Sequence, residues 1–135
     1  MAAATEPVAR TTVLIVDDQP AVLSAVRDWL AYETDLDIIG QAEDGVTALI
    51  LAQELQPDIV LIDLKMPNMD GIATAEALRE VAPQVRVVIL TIYDDVASRA
   101  RAQAAGVAAF VAKHDSVEAL PAAIRKVAAG RQECL

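Results

Sequence analysis

The sequence predicts an α/β domain in which five helices doubly wind a five-stranded parallel sheet of order 2-1-3-4-5. Three observations carry that expectation. Short apolar runs recur along the chain at 13–16, 59–62, 85–90 (apart from Arg86) and 107–112, with a further strand read at 36–42, and such runs suit strands buried on both faces. Stretches with helical apolar spacing lie between them, punctuated by Pro and Gly. Strand and helix alternating five times imply parallel strands with right-handed crossovers, and 2-1-3-4-5 is a common doubly wound order.

Residues 1–11 are Ala-rich and unpatterned and read as a flexible lead-in. The first strand ends in Asp17-Asp18, and Pro20 suits the first position of helix one because its missing N–H costs nothing there. Val22, Ala25, Val26, Trp29 and Leu30 form its predicted inward stripe, with Trp29 as core. Residues 36–42 form strand two. Glu43-Asp44-Gly45 turns into a helix over 46–55 with Ala48, Leu49, Leu51, Ala52 and Leu55 inward, ended by Pro57. Strand three runs into Asp63. Gly71 closes the next turn, helix three covers about 72–81, and Pro83 breaks it. Strand four ends in Thr91. Asp94-Asp95 opens an Ala-rich helix four, since carboxylates favour the positive end of the helix dipole, and Gly106 stops it. Strand five ends in Lys113. Asp115 and Glu118 have the spacing of a capping box, and helix five runs to about 129, with Pro121 either kinking it or delaying its start. The domain is placed at 12–130, with 131–135 as a tail.

One domain of this size buries enough surface to need neither disulfides nor a structural metal. The formal net charge of -9 argues against nucleic-acid binding by this domain, because that binding is driven by Lys and Arg neutralising phosphates. The single cysteine, Cys134, excludes an internal disulfide and fits a reducing compartment. No basic segment leads an apolar core at the start, and no apolar run approaches the ~20 residues of a membrane span. The sequence therefore reads as cytoplasmic, without membrane contact.

The informative feature is what stands at the strand ends. In a parallel sheet Asp17, Asp18, Asp63, Thr91 and Lys113 would share one edge, where ligands bind in open α/β sheets. A lone Asp after a strand is ordinarily a turn residue or a cap, and a lone Thr or Lys there means nothing. The set is much harder to obtain by chance. Three converging carboxylates repel one another in a partly dry site, and a hard cation with oxygen ligands, naturally Mg²⁺, relieves this. With a hydroxyl from Thr91 and a point charge from Lys113, the edge suits a phosphoryl group beside Mg²⁺.

These residues lie in stretches that resemble a response-regulator receiver domain of two-component signalling: 13–18, 62–71 (Ile-Asp-Leu-Lys-Met-Pro-Asn-Met-Asp-Gly), 89–91 and 110–113. The resemblance covers nearly the whole chain and is closest to receivers of LuxR/NarL-type regulators, in the turn at 41–45 and the helix-five end at 122–130. It implies a flavodoxin-like fold and a switch that takes a phosphoryl group from a histidine kinase or phosphotransfer protein. Asp63 would be the phosphoacceptor. Asp18, Asp63 and the backbone carbonyl of Lys65 would bind Mg²⁺ directly, and Asp17 through water. Lys113 would pair with Asp63 or its phosphoryl group, Thr91 would hydrogen-bond a phosphoryl oxygen, and Phe110 would be the aromatic switch that turns inward. Control of transcription through an output domain outside this chain, and a homodimer, are further implications.

The chain departs from the family pattern in places. His114 follows Lys113 where many members have a cis proline, and Ile92 stands beside Thr91 where a small residue is frequent, its bulk narrowing access to Asp63. Lys65 faces the site and is a candidate for tuning dephosphorylation. His114 reads as a solvated surface residue and Cys134 as an exposed thiol without a role. Two other receiver-like readings are a free-standing receiver and a phosphorylation-independent interaction module. A haloacid-dehalogenase-type phosphatase, which also forms an aspartyl phosphate, is rejected. It needs an Asp two residues after its nucleophile, and Gln19, Pro20 and Lys65 stand there instead.

Overall fold

A computed structural model describes residues 10–115 and 118–130. The elements alternate as expected: β1 (Thr11–Val16), α1 (Pro20–Leu30), β2 (Leu36–Ala42), α2 (Gly45–Leu55), β3 (Ile59–Ile62), α3 (Gly71–Val81), β4 (Arg86–Thr91), α4 (Val96–Ala104), β5 (Ala109–Ala112) and α5 (Ala119–Ala128). All strand pairs are parallel, in the order β2-β1-β3-β4-β5. Strand one begins at Thr11, one residue inside the predicted lead-in; the remaining lead-in to residue 9 and the tail at 131–135, with Cys134, lie outside the described residues.

Period-two alternation sorts the strand residues into two cores. Leu14, Val16, Val60, Ile62, Val87 and Ile89 pack under α2, α3 and α4. Val13, Ile15, Ile59, Leu61, Val88 and Leu90 face α1 and α5. Both sheet faces are covered, so the central strands are apolar through their middles and their ends are free to carry chemistry, while edge strand β2 keeps Asp37 and Gln41 within it.

Caps define where the helices start. Asp44, Asp70 and Asp95 each accept a bond from a backbone N–H three residues on, those of Thr47, Ala73 and Ser98. Gly106 follows α4 at φ 82, the left-handed conformation of a helix stop, and Gln56 plays that part after α2 at φ 49.

Three expectations need correcting. In α1 the buried residues are Leu23, Val26 and Leu30, with Val22 and Trp29 at the margin, while Ala25 is exposed. The stripe is centred nearer Leu23 than the apolar count suggests. In α2, Leu55 is 40% exposed and leans toward Gly40 of β2, while Leu49 and Leu51 are half-buried on the flanks. The capping box at α5 does not form: the Asp115 carboxylate accepts from the Ala112 N–H and closes the turn after β5, and Glu118 caps without a side-chain bond. Helix five therefore starts at Ala119, which puts Pro121 in the first turn, where a missing N–H leaves no helical bond unmade. Among the described residues no peptide bond is cis, so Lys113–His114 is trans.

An ion-pair group fastens α5 across the sheet end. Arg125 holds Asp35 through Nε and Nη2, at 2.8 and 3.0 Å, and also pairs with Glu33. The Arg125 hydrogen bond holds the Asp35 carboxyl below its ordinary range. A group with a depressed folded pKa stabilises above its unfolded value of ~3.9, and that stability disappears as pH falls through the folded value. Solvent still reaches the pair, so Arg125→Ala should cost only about 1 kcal/mol at neutral pH. The difference from wild type should close as pH falls below ~4 in urea-denaturation series; a difference independent of pH would assign the loss to packing instead.

Candidate functional site

The β1 end comes first in the chain. Asp17 is almost buried and its Oδ1 accepts from the N–H of Gln19 at 3.0 Å, which turns the chain into α1. Asp18 beside it is half-buried. On the neighbouring strand β3 ends at Ile62, and Asp63 follows with its N–H donating to Val16 O at 3.1 Å. Its Oδ1 accepts from the N–H of Leu64 at 2.9 Å. The parallel pairing of β1 with β3 thus sets the three carboxylates side by side: one oxygen from each of Asp17, Asp18 and Asp63 lies within 4.8 Å of the others.

Strands β4 and β5 supply the rest. Thr91 is fully buried, and its Oγ1 accepts from the N–H of Tyr93 at 3.1 Å, leaving the hydroxyl proton free to donate. The Lys113 ammonium reaches back across the edge to Asp17 Oδ2 at 3.6 Å. Burial raises the Asp17 carboxyl above its ordinary value, against a counter-pull from the Gln19 N–H and Lys113. Burial also raises Asp63, with Asp17 adding to the shift and Lys113, the Leu64 N–H and Thr91 opposing it. Carboxylates so strained by desolvation and mutual repulsion gain from a shared cation. The donor set is all oxygen and hard, as Mg²⁺ requires.

All the residues singled out at the strand ends meet here. Phe110 does not lie open to the solvent: it is buried in the α3–α4 core with the Arg99 guanidinium 4.7 Å from its ring centroid. Arg99 is itself held by Asp94 at 2.6 Å. Lys65 is exposed, with its ammonium 5.3 Å from the Tyr93 ring centroid. Ile92 is 64% exposed, so much of its bulk is in solvent, and exposed His114 stands 3.9 Å from Asp94.

Sequence reasoning missed three participants. Arg99 and Tyr93 reach their partners across loops, and no spacing rule foretells that. Gly71 is more than a turn residue. A Cβ there would stand 2.2 Å from the Asp63 carbonyl oxygen, so the start of α3 rests directly on the backbone of the candidate acceptor.

Comparison with known proteins agrees with this fold. The family model "Response regulator receiver domain" matches residues 13–125. "Response regulator GacA" of Pseudomonas aeruginosa is 37% identical over 120 residues, 89% of this chain and 56% of that protein. The signal receiver domain of the response regulator NarL from Mycobacterium tuberculosis superposes with a TM-score of 0.86 at 31% identity, over 91% of this chain and 99% of that one. A "DNA-binding response regulator, LuxR family" from Staphylococcus aureus superposes at 0.81 with 28% identity, covering 87% of this chain and 98% of that one. The chain spans about half the length of the curated relatives it matches.

Proposed function

The chain belongs to the response-regulator receiver family, and from that premise we propose that it is a phosphoacceptor switch in which Asp63 takes a phosphoryl group from a phosphohistidine donor. The observation that carries this reading is the meeting of Asp17, Asp18, Asp63, Thr91 and Lys113 at one sheet edge.

Asp18, Asp63 and the backbone carbonyl of Lys65 would hold Mg²⁺ directly, and Asp17 through a water. When bound, the ion neutralises carboxylate and phosphoryl charge. An Asp63 carboxylate oxygen attacks phosphorus, the P–N bond to the donor imidazole breaks, and the electron pair stays on the imidazole nitrogen. Positioning and charge stabilisation supply most of the catalysis in phosphoryl transfer. Lys113 offsets the charge that accumulates on the phosphoryl oxygens, and the free Thr91 proton donates to one of them. Water later attacks phosphorus and releases inorganic phosphate, so the domain resets itself and is not a turnover enzyme.

The signal leaves through Thr91 and Phe110. Drawing the Thr91 hydroxyl toward a phosphoryl group shifts β4 against β5 and the ring beneath Arg99, biasing an equilibrium the domain already samples. Moving it from mostly off to mostly on needs ~5.5 kcal/mol of differential stabilisation. The donor is a sensor histidine kinase or phosphotransfer protein. The length of the relatives and the DNA-binding relative support transcriptional output through a further domain.

Intact-mass measurement after incubation with a small phosphodonor tests the switch. One phosphoryl group should be added with Mg²⁺, and none without it or in Asp63→Asn. A folded wild-type protein that takes up no phosphoryl group would leave the phosphorylation-independent module as the reading.

A further inference from the structure

The charge of this chain is concentrated in one part of it. Between Arg27 and Lys65 there is no basic residue, while nine of the 20 acidic residues fall in that span. The net charge of that segment is therefore -9, and the rest of the chain, with 11 acidic and 11 basic residues, sums to zero. The segment folds into the tail of α1, edge strand β2, α2 and β3.

Helix α2 stands out within it. From Gly45 to Gln53 it carries no charged residue. Its inner side, Gly45, Ala48 and Ala52, is buried against the sheet and α3. Its outer side exposes two aliphatics one helical turn apart, Val46 at 60% and Ile50 at 50%, bordered by exposed Thr47, Gln53 and Glu54, with half-buried Leu49 and Leu51 on either flank. Carboxylates stand at both ends of this stripe, Glu43 and Asp44 before it and Glu54 after it. Asp44 is held ionised by the N–H of Thr47, which lowers its pKa.

We propose that the outward face of α2 is a docking site for a basic amphipathic helix of a partner protein, with an apolar stripe seated on Val46 and Ile50 and flanking Lys or Arg side chains against Glu43, Asp44 and Glu54. Charge complementarity selects this occupant. A second copy docked by the same face would bring Glu43, Asp44 and Glu54 against like charges, and anionic lipid or nucleic acid would be repelled by the same three carboxylates. The face spans about 16 Å at 1.5 Å per residue, room for about three turns of a partner helix. The proposal stands independently of phosphorylation at Asp63.

The test is an NMR titration of the folded chain, with excess Mg²⁺ present, using a synthetic helical peptide that has leucines on one face and lysines beside them. Saturable amide shifts should centre on 46–54. They should weaken about ten-fold in Glu43→Lys/Glu54→Lys, whose exposed sites leave the fold intact, and fade near 1 M salt, where screening acts within ~3 Å. The counterpart peptide with glutamates for lysines should not bind. The proposal is overturned by no binding, by shifts centred on the Asp17–Asp63 edge, by equal affinity for the charge-reversed variant, or by self-association of the chain through α2 in sedimentation.

Discussion

Gly71→Ala should lose about 3 kcal/mol of stability, the upper part of the range for overpacking, and should lose phosphoryl uptake with it. The added Cβ would sit 2.2 Å from the Asp63 carbonyl oxygen, 3.0 Å from its carbon and 3.1 Å from Leu64 Cα. These are backbone atoms and cannot swing aside as a side-chain tip can. Either α3 withdraws, breaking the 2.9 Å bond from Gly71 N–H to Leu64 O, or Asp63 is displaced from the acidic trio. Thermal unfolding should show the loss as a drop of about 10 °C for a domain of this size. A melting temperature near that of wild type would mean that the β3–α3 turn is far softer than its packing indicates.

Lys113→Ala should leave the fold standing and slow phosphoryl uptake about 100-fold. The ammonium lies 3.6 Å from Asp17 Oδ2 and draws down the pKa of both Asp17 and Asp63. Its ion-pair contact is with Asp17, one of the three carboxylates. Removing a single preorganised charge from a developing oxyanion typically costs 10²–10³ in rate. A mass-spectrometric time course with a small phosphodonor and saturating Mg²⁺ measures it directly. Uptake at the wild-type rate would confine Lys113 to holding Asp17 in place.

Most of the sheet was legible because strands buried on both faces are largely apolar, so runs such as 59–62 stand out and their polar terminators mark one edge, whereas edge strand β2 carries Asp37 and Gln41 and gives a weaker signal. The placement of Asp17, Asp18, Asp63, Thr91 and Lys113 followed from that alone. Finer detail depended on competition that the sequence does not rank. Ala25 is apolar enough to join a stripe, yet Leu23 gains more from burial, and the helix turned accordingly. Asp115 has the spacing of a cap, but its carboxylate found the Ala112 N–H first. Arg99 over Phe110 and Lys65 over Tyr93 join residues on separate elements, which only the folded chain brings together.

The central claim is that, of three neighbouring carboxylates, Asp63 alone receives the phosphoryl group. Borohydride reduction of the phosphorylated chain converts an aspartyl phosphate into homoserine, which peptide mass mapping then locates. Homoserine at position 63, and at no other aspartate, is the predicted result. Homoserine at 17 or 18, or none in a chain that carries the added phosphoryl mass, would contradict it.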